Sequence, residues 1–207
     1  MRDIDIEVVD NFISPSYLNA LQDAVHPNSL MSWSFQGSQS GHEFNEGDIE
    51  DFGFSIPLCT PDQPDTFFNS PIATFVSPLV YLMKDYAEAD SIIRCRLDLT
   101  LFHSKKYLHP PHIDVPIKHV ATILYLNDTD GDTVIYDQKG EYGKTYSNMK
   151  IKETIAPKAG RMLLFDGSYV HTGHSPSKHQ TRILLNIVFY IMINCSIGLF
   201  KIIDCKH

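Results

Sequence analysis

Basic residues are scarce in this 207-residue sequence: 17 Lys and Arg stand against 25 Asp and Glu, and no Lys/Arg cluster interrupts the net charge of −8. A polyanionic backbone is held by a basic footprint, so nucleic acid is a poor partner for this chain. Cysteine is equally sparse. Cys59, Cys95, Cys195 and Cys205 form no C-x-x-C pair, and no secretory signal precedes them. The expectation is reduced thiols in a cytoplasmic protein, not a disulfide framework. No internal repeat, low-complexity tract or linker divides the chain. One stretch, 183–200, runs eighteen residues without a charge, the lower edge of membrane-spanning length. Its Asn186, Asn194, Ser196 and Gly198, and a β-branched start at Ile183, Ile187 and Val188, suit a buried strand instead, so no membrane span is expected. Hydrophobic residues at 43% and charged residues at 20% exclude wholesale disorder.

What the chain has in excess is histidine, ten in all. His103, His109, His112 and His119 fall in one short segment and His171, His174 and His179 in another. Their commonest specialised task is to hold a metal.

The length favours a single domain. Residues 1–90 read as an N-terminal helical decoration and loop, 91–192 as a β core, and 193–207 as a C-terminal extension. Ile4 to Val9 has the pattern of a short strand. Ser14-Pro15 and Ser70-Pro71 each set a capping hydroxyl before a proline at the first helical position, predicting helices to about Val25 and about Ala89. Residues 28–69 between them predict mostly loop with one or two short strands, a candidate lid or substrate loop. From Ser91 the period becomes two: Ile93, Cys95, Leu97, Leu99 and Leu101 alternate with Arg94, Arg96, Asp98, Thr100 and Phe102. Further strands are predicted at 119–127, 133–136, 154–155, 161–165 and 182–192, separated by turn residues. Many short strands joined by turns indicate a mainly β sandwich or jelly roll with helices outside.

The sharpest chemical feature is His112-Ile113-Asp114, set among Pro110, Pro111 and Pro116. On an extended segment residues i and i+2 point the same way, so imidazole and carboxylate reach one ion together. His171 supplies a third ligand from beyond several strands. Two neutral imidazoles and one carboxylate leave open positions, the arrangement of non-haem Fe(II) oxygenases, although zinc hydrolases share these ligand types. Arg182 separates the two. A guanidinium entering a barrel core needs an anion and is matched to a carboxylate, so a small carboxylic acid is expected between metal and arginine, with the Tyr125 hydroxyl as a further donor. Asp166-Gly167-Ser168 near His171 is not surrounded by a G-x-S-x-G elbow, which argues against a serine hydrolase.

The ordered set His112-x-Asp114, Tyr125-Leu126-Asn127, Asp130-Gly131-Asp132-Thr133, Pro157-Lys158-x-Gly160-Arg161-x-Leu163-x-Phe165, His171-x-Gly173 and Arg182 resembles the Fe(II)/2-oxoglutarate dioxygenases of the prolyl-4-hydroxylase-like branch. Val8-Val9-Asp10-Asn11-Phe12-Ile13-Ser14 is similar to the opening of many small phage and bacterial members. The resemblance implies a double-stranded β-helix in which His112, Asp114 and His171 hold Fe(II). Arg182 would pair with the distal carboxylate of 2-oxoglutarate, and Tyr125 would donate to it. It further implies O₂ as oxidant, ascorbate as a supporting reductant, and hydroxylation of a C–H bond in a peptide or small-molecule substrate. Four departures accompany it, one being a His171-to-Arg182 spacing one or two residues longer than in several relatives. Gly131-Asp132-Thr133 replaces the Gly-Gly-Thr of many members. His174 stands close enough to compete with His171. Phe102 occupies a place where prolyl hydroxylases often carry a tyrosine. The rival functions are a metal-binding β-helix without oxygenase activity (a cupin-like sensor, isomerase or structural protein) and a nucleic-acid demethylase. The acidic balance and the lack of a second arginine after Arg182 count against the last.

Overall fold

A computed structural model describes residues 4–26, 29, 31–38 and 50–192. Ten strands and two helices are assigned within them. The N-terminal part supplies β1 (Ile6–Val9), α1 (Pro15–Val25), β2 (Ser34–Gln36), β3 (Gly53–Cys59) and α2 (Pro71–Tyr86). β4 (Ser91–Leu101), β5 (His119–Tyr125), β6 (Thr133–Lys139), β7 (Ile151–Ile155), β8 (Met162–Asp166), β9 (Tyr169–Gly173) and β10 (Thr181–Tyr190) follow.

Both helices start where the Ser-Pro pairs place them. Ser14 Oγ accepts from Tyr17 N at 3.3 Å and Ser70 Oγ from Ala73 N at 3.2 Å, each satisfying one of the orphan donors of a first turn. α2 ends at Tyr86, before the expected Ala89, because Ala87 closes it and Glu88 takes a left-handed conformation at φ 52°.

The strands form a seven-stranded antiparallel sheet, ordered β1-β8-β5-β10-β4-β3-β2, and a three-stranded sheet, β7-β6-β9. One face of the larger sheet carries Cys95, Leu97 and Leu99 of β4 with Ile183, Leu185 and Ile187 of β10, and packs against Leu21 and Val25 of α1 and Val76, Val80 and Met83 of α2. Its other face meets the smaller sheet through Ala121, Ile123, Tyr125, Leu163, Phe165 and Leu184 against Ile135 and Ile155. This is the jelly-roll architecture, with both helices on the outside of the larger sheet.

The N-terminal residues do more than decorate. β1 pairs with β8 at one edge, and β3 and β2 extend the other beyond β4. β9 is a strand where the sequence suggested only a turn and a histidine. Its five residues, Tyr-Val-His-Thr-Gly, are too few and too polar to show a period. Cys59 and Cys95 are free, buried, and opposite each other on β3 and β4. The uncharged stretch enters β10, a central strand, as far as Tyr190; its remainder from 193, with Cys195 and Cys205, lies outside the described residues. Among the described residues no helix is long and apolar enough to cross a membrane.

One irregularity shapes the site. Val188 of β10 lies opposite Arg94 while Phe189 lies opposite Ile92, so Ile93 is an extra residue in β4. Such a bulge re-aims side chains. Ile92 joins the helix-covered core and Ile93 packs with Val115, Val188 and Tyr190, while regular pairing resumes at Arg94.

Candidate metal centre

The segment carrying His112 does not hang free as a loop. His112 N donates to His171 O at 2.9 Å and His171 N to His112 O at 3.1 Å, an antiparallel bridge that adds this segment beside β9. A pair exchanging both bonds points its side chains to the same face. The two imidazoles accordingly lie 4.8 Å apart, centroid to centroid. Asp114, two residues on along extended chain, joins them, and the ligand atoms of His112, Asp114 and His171 all lie within 4.8 Å of one another. Phe165 of β8 closes one side, its ring edge-on to His171 at 4.9 Å.

The hydrogen bonds orient these groups toward a common centre. His112 Nδ1 donates to Pro110 O at 3.1 Å and His171 Nδ1 to Tyr169 O at 3.0 Å, since a carbonyl can only accept. In the neutral imidazoles this leaves both Nε2 lone pairs unused, the usual arrangement of a histidine ligand. Burial and the neighbouring His171 push the His112 imidazole down to about 3, against the opposing pull of Asp114, so His112 is neutral at pH 7. Burial alone would raise the Asp114 carboxyl, but Arg94, aided by the imidazoles, holds it well below the usual range. Arg94 Nη2 binds Asp114 Oδ1 and also lies 3.3 Å from Asn186 Oδ1 on β10. Asp114 Oδ2 is buried without a hydrogen-bond partner, 3.3 Å from His171 Nε2. A carboxylate oxygen facing imidazole lone pairs is an arrangement a divalent cation satisfies and water-free protein does not.

A second feature lies further along the same strands. Arg182 of β10 is 8% exposed, and among the described residues no carboxylate lies within salt-bridge distance of it. Its Nη2 donates to Thr133 Oγ1 at 2.8 Å, and its Nε is buried without a partner. Burial lowers its basicity, opposed by Tyr125, Asp98 and Asp132. Two glycines make the room: a Cβ on Gly131 would stand 2.7 Å from Arg182 Cδ, and one on Gly173 would stand 3.2 Å from Nη2. Gly173 is two residues from His171 on β9, about 7 Å along a strand, so the guanidinium lies a short diacid's length from the histidine. Tyr125 is fully buried and donates its hydroxyl to Thr133 Oγ1 at 2.6 Å.

The remaining candidates separate by distance and partner. His174 stays outside the cluster, with Nδ1 on Lys106 O at 3.2 Å. His103 faces Glu50 and His179 faces Asp130. His119 is buried beside Gly167, where a Cβ would come within 2.2 Å of its Nε2. His109 sits between Asp51 Oδ1 at 2.7 Å and Ser175 Oγ at 3.0 Å, in the order of a nucleophilic triad. Ser175 is 4% exposed, however, so this is a buried polar tie and no nucleophile. Phe102 is half in solvent. Residues the sequence left undecided now have places: Arg96 pairs with Asp98 at 3.0 Å, Arg94 with Asp114, and Thr133 stands between Tyr125 and Arg182. The signals that find them are non-local: the bridge that sets the His112 segment beside β9, and the pairing of β6 with β9.

No curated protein matches the chain. The sequence pattern of the 2OG-Fe(II) oxygenase superfamily matches residues 99–190, which include all three ligand candidates and Arg182. Among solved structures, an oxidoreductase of the 2OG-Fe(II) oxygenase family from Burkholderia pseudomallei is similar at 13% identity, covering 89% of this chain and 84% of that one, with a TM-score of 0.62. A Pseudomonas putida prolyl-4-hydroxylase is similar at 14% identity over 90% and 93% of the two chains, with a TM-score of 0.54. HygX from Streptomyces hygroscopicus, solved with nickel, 2-oxoglutarate and hygromycin B, is similar at 10% identity over 92% and 84%, with a TM-score of 0.58. These likenesses are of fold. The sequence match spans the core strands, where the chain is similar to the 2OG-Fe(II) oxygenase superfamily.

Proposed function

We propose that this chain is an Fe(II)- and 2-oxoglutarate-dependent dioxygenase whose iron is held by His112, Asp114 and His171 and whose co-substrate is held by Arg182. The observation that carries the assignment is the pairing of two deficits. An unsatisfied Asp114 Oδ2 faces two imidazoles, and a buried guanidinium without a carboxylate partner among the described residues stands beside Gly173, about 7 Å along β9 from His171. One asks for a cation and the other for a carboxylate. When bound, iron and 2-oxoglutarate use O₂ to hydroxylate an unactivated C–H bond, with release of succinate and CO₂.

The chain's own part is orientation and exclusion of water. Pro110 O and Tyr169 O fix both ring tautomers, Arg94 holds Asp114 Oδ1 so that Oδ2 faces the imidazoles, and Phe165 seals the side. At the other end Thr133 Oγ1 receives two donors, Tyr125 O–H and Arg182 N–H, which occupies both of its lone pairs. Its own O–H is left to donate, so Tyr125 acts on the carboxylate through Thr133. Thr133→Val is therefore expected to weaken 2-oxoglutarate binding by about 1–3 kcal/mol, and Tyr125→Phe by less; calorimetric titration of both variants measures the difference. Residues 91–192 form the catalytic core in this reading, the substrate is a peptide or small molecule, and the free, buried Cys59 and Cys95 suit a reducing cytoplasm.

The test is succinate formation from 2-oxoglutarate with Fe(II) and ascorbate, stopped by chelation and absent in Asp114→Ala. A protein that binds the metal but forms no succinate would be a metal-binding β-helix of another activity.

A further inference from the structure

A cleft of about 660 Å³ opens beside the metal centre, on the side of Asp114 away from Arg182's strand end. Its walls include Pro61, Pro64, Ile93, Val115, Tyr142 and Tyr190, and among the described residues its only charged lining residues are Arg94 and Asp114. That volume suits a compact ligand, and so apolar a wall suits an apolar body.

The charges within the barrel decide what else the ligand carries. Three guanidiniums, Arg94, Arg96 and Arg182, face the interior with two carboxylates, Asp98 and Asp114. A divalent metal and a dianionic co-substrate cancel each other. One positive charge is left over in a region where unpaired charge is costly. Arg96 is occupied by Asp98, and Arg182 by the co-substrate. Arg94 is the remainder. Its Nη2 makes both of its hydrogen bonds to described residues, which leaves Nη1 without one, and its partner Asp114 is shared with the metal. It is also the arginine that lines the open cleft, its side chain 17% exposed.

We propose that this cleft seats the molecule to be oxidised, and that this molecule is a compact, mainly apolar acid with a single carboxylate that pairs with Arg94. A guanidinium with an unused edge takes a carboxylate in preference to a neutral amide of the same shape. The inference rests on the metal-centre reading above.

Matched acids and amides test it: cyclohexylacetate against cyclohexylacetamide, and N-acetylleucine against its amide. Each is added to the Mn(II)-loaded protein with 2-oxoglutarate, and proton relaxation is recorded by NMR, because Mn(II) broadens the lines of any ligand held near it. The acids are expected to bind about tenfold or more tightly than the amides, a difference of about 1.4 kcal/mol. Arg94→Gln should bring the acids to the level of the amides, Arg94→Lys should restore part of the preference, and Ile93→Trp should exclude both forms. Broadening of 2-oxoglutarate in every variant reports that the metal centre is intact. Equal binding of acid and amide, no binding of either acid, or a preference that survives Arg94→Gln overturns the proposal while leaving the oxygenase reading in place. If 2-oxoglutarate itself is not broadened in the parent protein, the metal-centre reading falls and this inference with it.

Discussion

Arg182→Met should raise the dissociation constant of 2-oxoglutarate by about thirty-fold to several thousand-fold, the equivalent of about 2–5 kcal/mol, without lowering the melting temperature. The two halves of this result have one cause. Arg182 is buried, its Nε has no partner, and the groups nearest its guanidinium are the neutral hydroxyls of Thr133 and Tyr125. In the empty protein such a guanidinium pays for its desolvation without a compensating anion, and an apolar chain of similar volume removes that cost. In the complex the same substitution leaves a buried carboxylate with only hydroxyl donors. Arg182→Lys should recover part of the affinity, because an ammonium restores the charge but not the paired fork of donors. Calorimetric titration of 2-oxoglutarate into the Mn(II)-loaded variants, with thermal unfolding of the same samples, measures both quantities. A Met variant that binds 2-oxoglutarate as the parent does would remove Arg182 from the site.

The chelator-stripped protein should lose stability steeply between about pH 6.5 and pH 4. His112 is pushed down to about 3 in the fold, by burial first and by His171 second. The unfolded chain accepts a proton on this imidazole near its ordinary value of about 6.5, whereas the folded chain does not. As pH falls below about 6.5 the unfolded state therefore binds more protons and is favoured, by about 1.4 kcal/mol for each unit. At pH 5 the loss from His112 is of the order of 2 kcal/mol. Asp114 works in the same direction but lower: its depressed pKa gives stability that is present above about pH 4 and lost as pH falls further. His119, also lowered by burial, adds to the upper window. Urea unfolding at a series of pH values, with His112→Gln beside the parent, checks this. The variant should lose much of the slope above pH 4, and an unchanged slope would assign the acid lability elsewhere.

The three clustered ligand candidates were legible in the sequence because each has a local signature. His112 and Asp114 are two apart on a segment that proline keeps extended, and His171 is followed by a glycine on a strand returning to it. The helices were legible for the same reason, their Ser-Pro starts being local chemistry. What escaped was non-local. β9 is too short and polar to announce itself, yet it carries His171 and faces Arg182 through Gly173. Thr133 looks like any strand threonine until the pairing of β6 with β9 sets it opposite Gly173. Arg94 and Arg96 were visible as a polar face, but that Arg94 meets Asp114 depended on the distant bridge between the His112 segment and β9, and sequence periodicity registers neither that bridge nor the single extra residue Ile93. His174 could be set aside only by distance.

That extra residue also bears on how the chain finds its fold. With Ile93 bulged, β4 is pinned against β10 on both sides of an offset: Ile92 against Phe189 before it, Arg94 to Leu101 against Val188 to Thr181 after it. A strand that paired one residue out of step would drive Arg94, Arg96 and Asp98 into the layer under α1 and α2 and turn Cys95, Leu97 and Leu99 toward the metal ligands. Burying those charges among leucines and valines carries a heavy penalty. The same side chains that build the binding cavity thus act during folding as a check on strand alignment, and a misaligned intermediate should dissolve before the smaller sheet can close over it.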